Sequence, residues 1–274
     1  MGEAGDRLNH LSRVQRGQRF AATTAASWRV RWRSSCDMRY FGAMTIKLIC
    51  VDADDTLWHN MRHFHATEEA LLALIEPFAA RDIARERLNA CEIRNLKLYG
   101  YGAKGFTLSM IETAIELADD PLPKAVIADI LAAGRALLSH PVELFEGIDD
   151  TLEQLAERGR LVLVTKGDLL HQEAKLAASG LGDWFSGIEI VSEKTADTFR
   201  RLFAKEGVVP EEAVMAGDSL RSDIHPALNA GAWAAFIPQD GAWSHETAQL
   251  PAGHPRFCQL EGLAELPGWI DTIV

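Results

Sequence analysis

Between Ile46 and Leu57 an apolar run, Leu48-Ile49-Cys50-Val51, ends in Asp52-Ala53-Asp54-Asp55-Thr56-Leu57, so three carboxylates follow one another almost directly. A short run of aliphatic residues with no polar alternation predicts a strand buried on both faces of a sheet. Unpaired charges cannot continue into such an interior. The acids therefore belong at the strand's carboxyl end, where open α/β sheets collect their ligands. Alternation along an extended chain turns Asp52 and Asp54 to the same side, about 6 to 7 Å apart. At an effective dielectric of ~20, two like charges ~4 Å apart repel by about 4 kcal/mol. The pair calls for a divalent cation, a shared proton or wide exposure.

Three further strand ends carry chemistry. Leu161-Val162-Leu163-Val164 runs into Thr165-Lys166-Gly167-Asp168; Gly187-Ile188-Glu189-Ile190-Val191 is followed by Ser192-Glu193-Lys194; Ala213-Val214-Met215-Ala216 leads to Gly217-Asp218, with Asp223 five residues on. In this order, the four segments resemble the motifs of the haloacid dehalogenase superfamily of aspartate-nucleophile hydrolases, from roughly Thr45 to Pro238. Two positions depart from the common pattern: Lys166 stands where Asn is frequent, and Thr195 where a Pro often follows the motif lysine. Neither removes a catalytic atom, and Lys166 adds a cation near the expected phosphate.

The resemblance implies a doubly wound parallel α/β sheet, a Rossmann-like core with an inserted α-helical cap domain. It implies Asp52 as nucleophile and Asp54 as acid and then base, the latter needing an elevated pKa that nearby anions could provide. Thr165, Lys166 and Lys194 would hold the phosphoryl group. Mg²⁺ would be bound by Asp52, Asp218, Asp223 and Asp54, the last through its backbone carbonyl. Asp55 reads as a solvated or capping residue. The implied activity is a phosphatase acting on a small phosphorylated metabolite. Asp54 argues against a dehalogenase, whose corresponding position lacks this acid and which needs no metal. A phosphomutase using the same two aspartates is an alternative, as is a non-catalytic binding protein that retains the fold.

The chain has 274 residues and a formal net charge of −11, unevenly spread. Its first 43 residues carry eight Arg, no Lys and three acids, a net +5 that leaves −16 for the rest. An acidic body lacks the clustered Lys and Arg that a nucleic-acid partner requires. Cys36, Cys50, Cys91 and Cys258 form no CxxC pair, which suits reduced thiols in a cytoplasmic protein. No apolar run approaches the ~20 residues needed to span a bilayer, so no membrane partner is expected; oligomeric state is not legible. Residues 1–43 read as disordered or as an over-extended start before Met44, with an organelle-targeting peptide as the sharper alternative because the segment is Arg-rich and acid-poor.

About a hundred residues separate the first two motifs, too many for one crossover. Helical patterns at Thr67–Ile75, opened by a capping signal, and at Asp82–Leu98, Thr107–Leu117 and Lys124–Leu138 place a cap domain at 60–140. The core then comprises 44–59 and 141–274. Helices near Leu170–Ser179 and Ala196–Glu206 alternate with the later strands, and Trp233–Ile237 supplies another strand, so the crossovers should be right-handed. Gly100-Tyr101-Gly102-Ala103-Lys104-Gly105 matches GxGxxG but follows a helical pattern, so a cap loop that brings Tyr101 or Lys104 toward substrate is the better reading. His59, His63 and His65 suit hinge or cap-entry positions, and Trp58, Trp233 and Trp243 read as packing residues.

Overall fold

The computed structural model describes residues 45–273. The expectations for 1–43 lie outside the described residues. Six parallel strands, β1 (Leu48–Val51), β2 (Arg160–Lys166), β3 (Gly187–Val191), β4 (Ala213–Gly217), β5 (Trp233–Phe236) and β6 (Phe257–Gln259), lie in the order β3-β2-β1-β4-β5-β6. β1 is central between β2 and β4.

Alternation along the strands divides the core in two. Ile49, Val51, Leu161, Leu163, Val214 and Ala216 pack on one side against α5 (Ile148–Ala156) and α9 (Leu266–Ile270). Leu48, Cys50, Val162, Val164 and Met215 pack on the other against α7 (Ala196–Glu206) and α8 (His225–Ala230). Both faces of β1 are fully buried, which is why its sequence is unbroken by polar residues. Burying each of its large aliphatic side chains contributes about 1.5–3 kcal/mol. Register aligns the strand ends: Val51 pairs with Leu163 and with Ala216, so the residues that follow all three emerge at one edge.

Of the five helices between β1 and β2, the first four form an insertion: α1 (Met61–Ile75), α2 (Arg81–Tyr99), α3 (Ala103–Leu117) and α4 (Lys124–Leu138). They form the cap and have their own core, in which Leu71, Leu72, Leu88, Phe106, Met110 and Ile130 meet. α1 begins six residues before the expected Thr67. Thr67 is mid-helix, its hydroxyl donating to the His63 carbonyl at 2.8 Å, and the cap comes from Asp55, whose Oδ1 accepts from Asn60 N at 2.9 Å. α3 also starts early, because the glycine-rich segment is the turn that joins two helices. Gly100 and Gly102 take φ of 71° and 104°, which side chains other than glycine rarely adopt, and a Cβ on Gly105 would lie 2.7 Å from the Gly100 carbonyl oxygen. No helix among the described residues is long and apolar enough to cross a membrane.

Candidate active site

The loop after β1 places Asp52 directly at the sheet edge, its backbone N–H donating to Ala216 O at 2.9 Å. Asp218 follows β4, and Asp223 returns to the same point from a wide helical turn, Leu220–Ile224. Oxygens of Asp52, Asp218 and Asp223 all lie within 4.8 Å of one another. Asp223 comes so close to the end of β4 that a Cβ on Gly217 would sit 2.4 Å from its Oδ2, so only glycine fits there.

Lys194, 5% exposed, enters this cluster. Its Nζ donates to Asp52 Oδ1 and, at 2.6 Å, to Asp223 Oδ1. Burial pushes the Asp52 carboxyl up to about 7, with Lys194 opposing the rise and Asp223 adding to it. Asp218 is raised well above the carboxylate range by burial and by the charges of Asp52 and Asp223. Among the described residues Asp218 has no hydrogen bond or ion pair, so one ammonium answers three acids at this edge. Three converging carboxylates, one of them unpartnered, fit a hard divalent cation that takes oxygen ligands. The Asp54 side chain is not part of the group.

Asp54 points instead to α6 (Leu169–Ser179). Lys175 Nζ lies 2.7 Å from Asp54 Oδ2, Gln172 Nε2 donates to the same oxygen at 3.1 Å, and Trp58 Nε1 donates to Oδ1 at 2.6 Å. These partners correct the elevated pKa expected for Asp54. Burial favours the neutral acid, but Lys175 and the two hydrogen bonds outweigh it and hold the carboxyl below its ordinary value. The repulsion expected within the Asp52/Asp54 pair is met by a solution not anticipated: each acid has its own buried lysine.

Gln172 also donates to Thr165 Oγ1 at 2.6 Å, which ties the end of β2 to Asp54. Lys166 is at the same edge but already matched: Nζ lies 2.5 Å from Glu246 Oε1, 2.8 Å from Ser222 Oγ and 3.7 Å from the centre of the Tyr101 ring. Asp55 is a buried capping residue rather than a solvated one, accepting from Met61 N at 2.9 Å as well as from Asn60 N. Burial raises its carboxyl to about 6 despite those bonds.

All the expected site residues line one cavity of about 600 Å³ between the sheet edge and the cap. Contacts across it come from both sides. Tyr101 Oη donates to Glu193 at 3.0 Å, Lys104 Nζ pairs with Asp168 at 2.9 Å, and Trp243 Nε1 donates to Asn89 Oδ1 at 3.1 Å. Tyr101 and Lys104 thus fasten the cap loop to the core. His65 lines the cavity with its Nε2 2.7 Å from Gly241 O, whereas His63 stacks on His140 at 3.9 Å. Of Trp58, Trp233 and Trp243, Trp58 is buried in the core and Trp233 packs against Trp269, and the indoles of Trp58 and Trp243 also donate hydrogen bonds beside the site.

Comparison with known proteins places this geometry in a family. Residues 46–231 match the model of the haloacid dehalogenase-like hydrolases, and the chain belongs to that family. It is 31% identical over 194 residues to the glyceraldehyde 3-phosphate phosphatase of Methanopyrus kandleri, covering 68% of this chain and 81% of the relative. It is 28% identical to the N-acylneuraminate-9-phosphatase of Mus musculus over 50% of this chain and 55% of that protein. A crystal structure of a haloacid dehalogenase-like hydrolase from Xanthomonas campestris superposes with a TM-score of 0.75 at 37% identity, over 84% of this chain and 96% of the other.

Proposed function

We propose that the protein is a Mg²⁺-dependent phosphatase that cleaves a small phosphorylated metabolite through an aspartyl-phosphate intermediate. The observation that carries this reading is the convergence of Asp52, Asp54, Thr165, Lys194, Asp218 and Asp223 in one cap-covered cavity. That two relatives are phosphatases supports the same chemistry. Asp52, Asp218 and Asp223 would hold Mg²⁺, with Asp54 contributing its backbone carbonyl. The ion would neutralise charge on the phosphoryl oxygens.

In the first half-reaction an Asp52 oxygen attacks phosphorus in line, the ester P–O bond breaks, and the departing alcohol oxygen takes a proton from Asp54. In the second, Asp54 takes a proton from water, the water oxygen attacks phosphorus, and the Asp52–phosphorus bond breaks to release inorganic phosphate. Thr165 donates its hydroxyl to a phosphoryl oxygen. Lys194 carries positive charge to the nucleophile and the transferring group. Lys166 extends the positive rim, its charge shared with Glu246. Asp54 is ionised in the free protein; a phosphoryl dianion entering beside it opposes the Lys175 field and raises its affinity for the proton it must donate. The cap at 60–140, with the core at 44–59 and 141–274, excludes water during transfer. Cys50, Cys91 and Cys258 are free thiols, which accords with a cytoplasmic location.

The test is phosphate release from p-nitrophenyl phosphate with Mg²⁺ or with chelator. Metal-dependent release that Asp52→Asn abolishes is expected. Release that survives either the chelator or the substitution would overturn this mechanism.

A further inference from the structure

The roof of the cavity holds a carboxyl that the reaction does not use. Helix α2 turns Arg85, Leu88, Asn89, Glu92, Asn95 and Leu96 toward the cavity, at the three- and four-residue spacing of one helical face. Its more enclosed polar members are answered within the protein, except one. Asn89 accepts from Trp243, and Asn95 donates to Ser109 at 3.2 Å and to Glu112 at 3.0 Å. Arg85, nearer the solvent, pairs with Glu68 at 2.6 Å and with Glu69. Glu92, partly buried on that face, has no hydrogen bond or ion pair among the described residues. A carboxyl removed from bulk water with nothing to bond costs about 1–3 kcal/mol or more if left so, and it faces the chamber in which the leaving group must lie.

We propose that Glu92 is the distal specificity residue of this site, and that it selects phosphate esters whose non-phosphate end is a polyhydroxylated chain. The proposal rests on the phosphatase reading for its orientation, since the phosphate occupies the floor at Asp52 and the ester group extends toward the roof. At about 600 Å³ the cavity is of the size that holds small organic ligands, well beyond what a phosphate alone fills.

The charge balance favours hydroxyls over a cation. Burial, with the charge of Glu68 adding to it, pushes the Glu92 carboxyl up to about 8, so near neutrality it is largely protonated. A neutral carboxyl offers one O–H donor and one carbonyl acceptor, the complement of a hydroxyl that both accepts and donates. An ammonium group would first have to draw the proton away. Leu88 and Leu96 flank Glu92, and the amides of Asn89 and Asn95 are engaged within the protein, which leaves Glu92 as the unengaged polar group between them among the described residues.

The experiment compares ribitol 5-phosphate with pentyl phosphate, which has the same carbon chain without the hydroxyls. Turnover is measured for the wild type, Glu92→Leu and Glu92→Gln, and binding of both esters by calorimetry in an Asp52→Asn background. Preference for the ribitol ester should fall about tenfold in Glu92→Leu, mainly through KM. Glu92→Gln, which still donates and accepts, should recover most of it. An unchanged preference in Glu92→Leu, or equal losses on both esters in both variants, would overturn the assignment. If the wild type turns over neither ester, the binding arm decides: a preference lost in Glu92→Leu upholds the roof assignment and its absence sinks it, while the phosphatase reading stands or falls separately on p-nitrophenyl phosphate.

Discussion

Replacing Lys175 by Met keeps the bulk of a side chain that is 5% exposed and removes its ammonium from Asp54 and from Asn60 Oδ1, 3.2 Å away. At an effective dielectric of ~20, opposite charges about 3 Å apart attract by roughly 5 to 6 kcal/mol, against which both groups pay desolvation. Removing one partner of a buried pair typically costs about 3–5 kcal/mol. The Asp54 side chain is 23% exposed and keeps its bonds from Trp58 and Gln172, so the low end, about 3 kcal/mol, is expected. For a domain of this size that lowers Tm by about 6–12 °C. The decisive assay is a double-mutant cycle in chelator, followed by thermal and urea unfolding of the wild type, Lys175→Met, Asp54→Asn and the double variant. Each single variant leaves a buried charge alone, whereas the double leaves none, so the losses should fall short of additivity by about 2 kcal/mol. Additivity within about 0.5 kcal/mol would show that the pair is not the electrostatic unit described and would remove the reason for Asp54's depressed pKa.

Mg²⁺ at about a hundred times its Kd should add about 2.7 kcal/mol to stability. Asp218→Asn should raise Tm in chelator by relieving like charges and cancel most of the Mg²⁺ increment, so an undiminished increment would exclude Asp218 as a ligand. Burial and the nearby Lys175 charge lower His171 to about 4 from an ordinary value near 6.5. The folded state therefore binds fewer protons than the unfolded chain between those values. His171 costs no stability above pH 6.5, and stability falls as pH drops through 6.5 toward 4, by about 2 kcal/mol after allowance for solvent screening. His171→Gln should flatten that slope in urea unfolding at stepped pH, and an identical slope would refute the assignment. Gly217→Ala should destabilise by about 1–3 kcal/mol and displace Asp223, while Gly182→Ala, with nothing within 4 Å of its added Cβ, should stay within about 0.5 kcal/mol. Equal unfolding midpoints for the two would contradict the close approach at the end of β4.

The meeting of the motif-bearing strand ends was legible because those residues follow short apolar strands whose order fixes which ends meet. Lys175 and Gln172 were not legible, for an identifiable reason. On α6 the sequence Leu-Leu-His-Gln-Glu-Ala-Lys-Leu reads as an ordinary exposed helix, since burial of charged or amide side chains is rare without a partner. His171, Gln172, Lys175 and Leu176 are nevertheless its buried face, and their spacing was the available signal. Helix α5 was missed although Ile148, Leu152 and Leu155 recur at intervals of four and three. Glu246 could not have been found by periodicity, because it lies in a short turn after β5 and is held by Lys166, Ser219 and Ser222. The start of α1 was misplaced because its capping carboxylate, Asp55, is five residues upstream of the helix's Asn60 boundary instead of adjacent to it.

That same capping arrangement joins the cap to the chemistry. The two chain crossings into the cap pair with each other: His59 N donates to Glu143 O at 3.0 Å, Phe145 N donates to Leu57 O at 3.0 Å, and Trp58 bridges Leu144 in antiparallel fashion. Trp58 carries the indole that donates to Asp54, and Asp55, held in a left-handed backbone with φ of 57°, grips the first turn of α1. Asp tolerates this conformation better than most residues, and fixing it takes support from several sides. The hinge ribbon, the helix cap and Asp54 are therefore one continuous piece of chain. A change in cap angle would strain Trp58 and Asp55 together with the Tyr101, Lys104 and Trp243 contacts, so placement of the Asp54 carboxyl would be coupled to closure by covalent proximity. On the proposed mechanism, a leaving group bridging Glu92 on the roof and the phosphate on the floor would favour closure, and through that ribbon the Asp54 position from which a proton would be delivered.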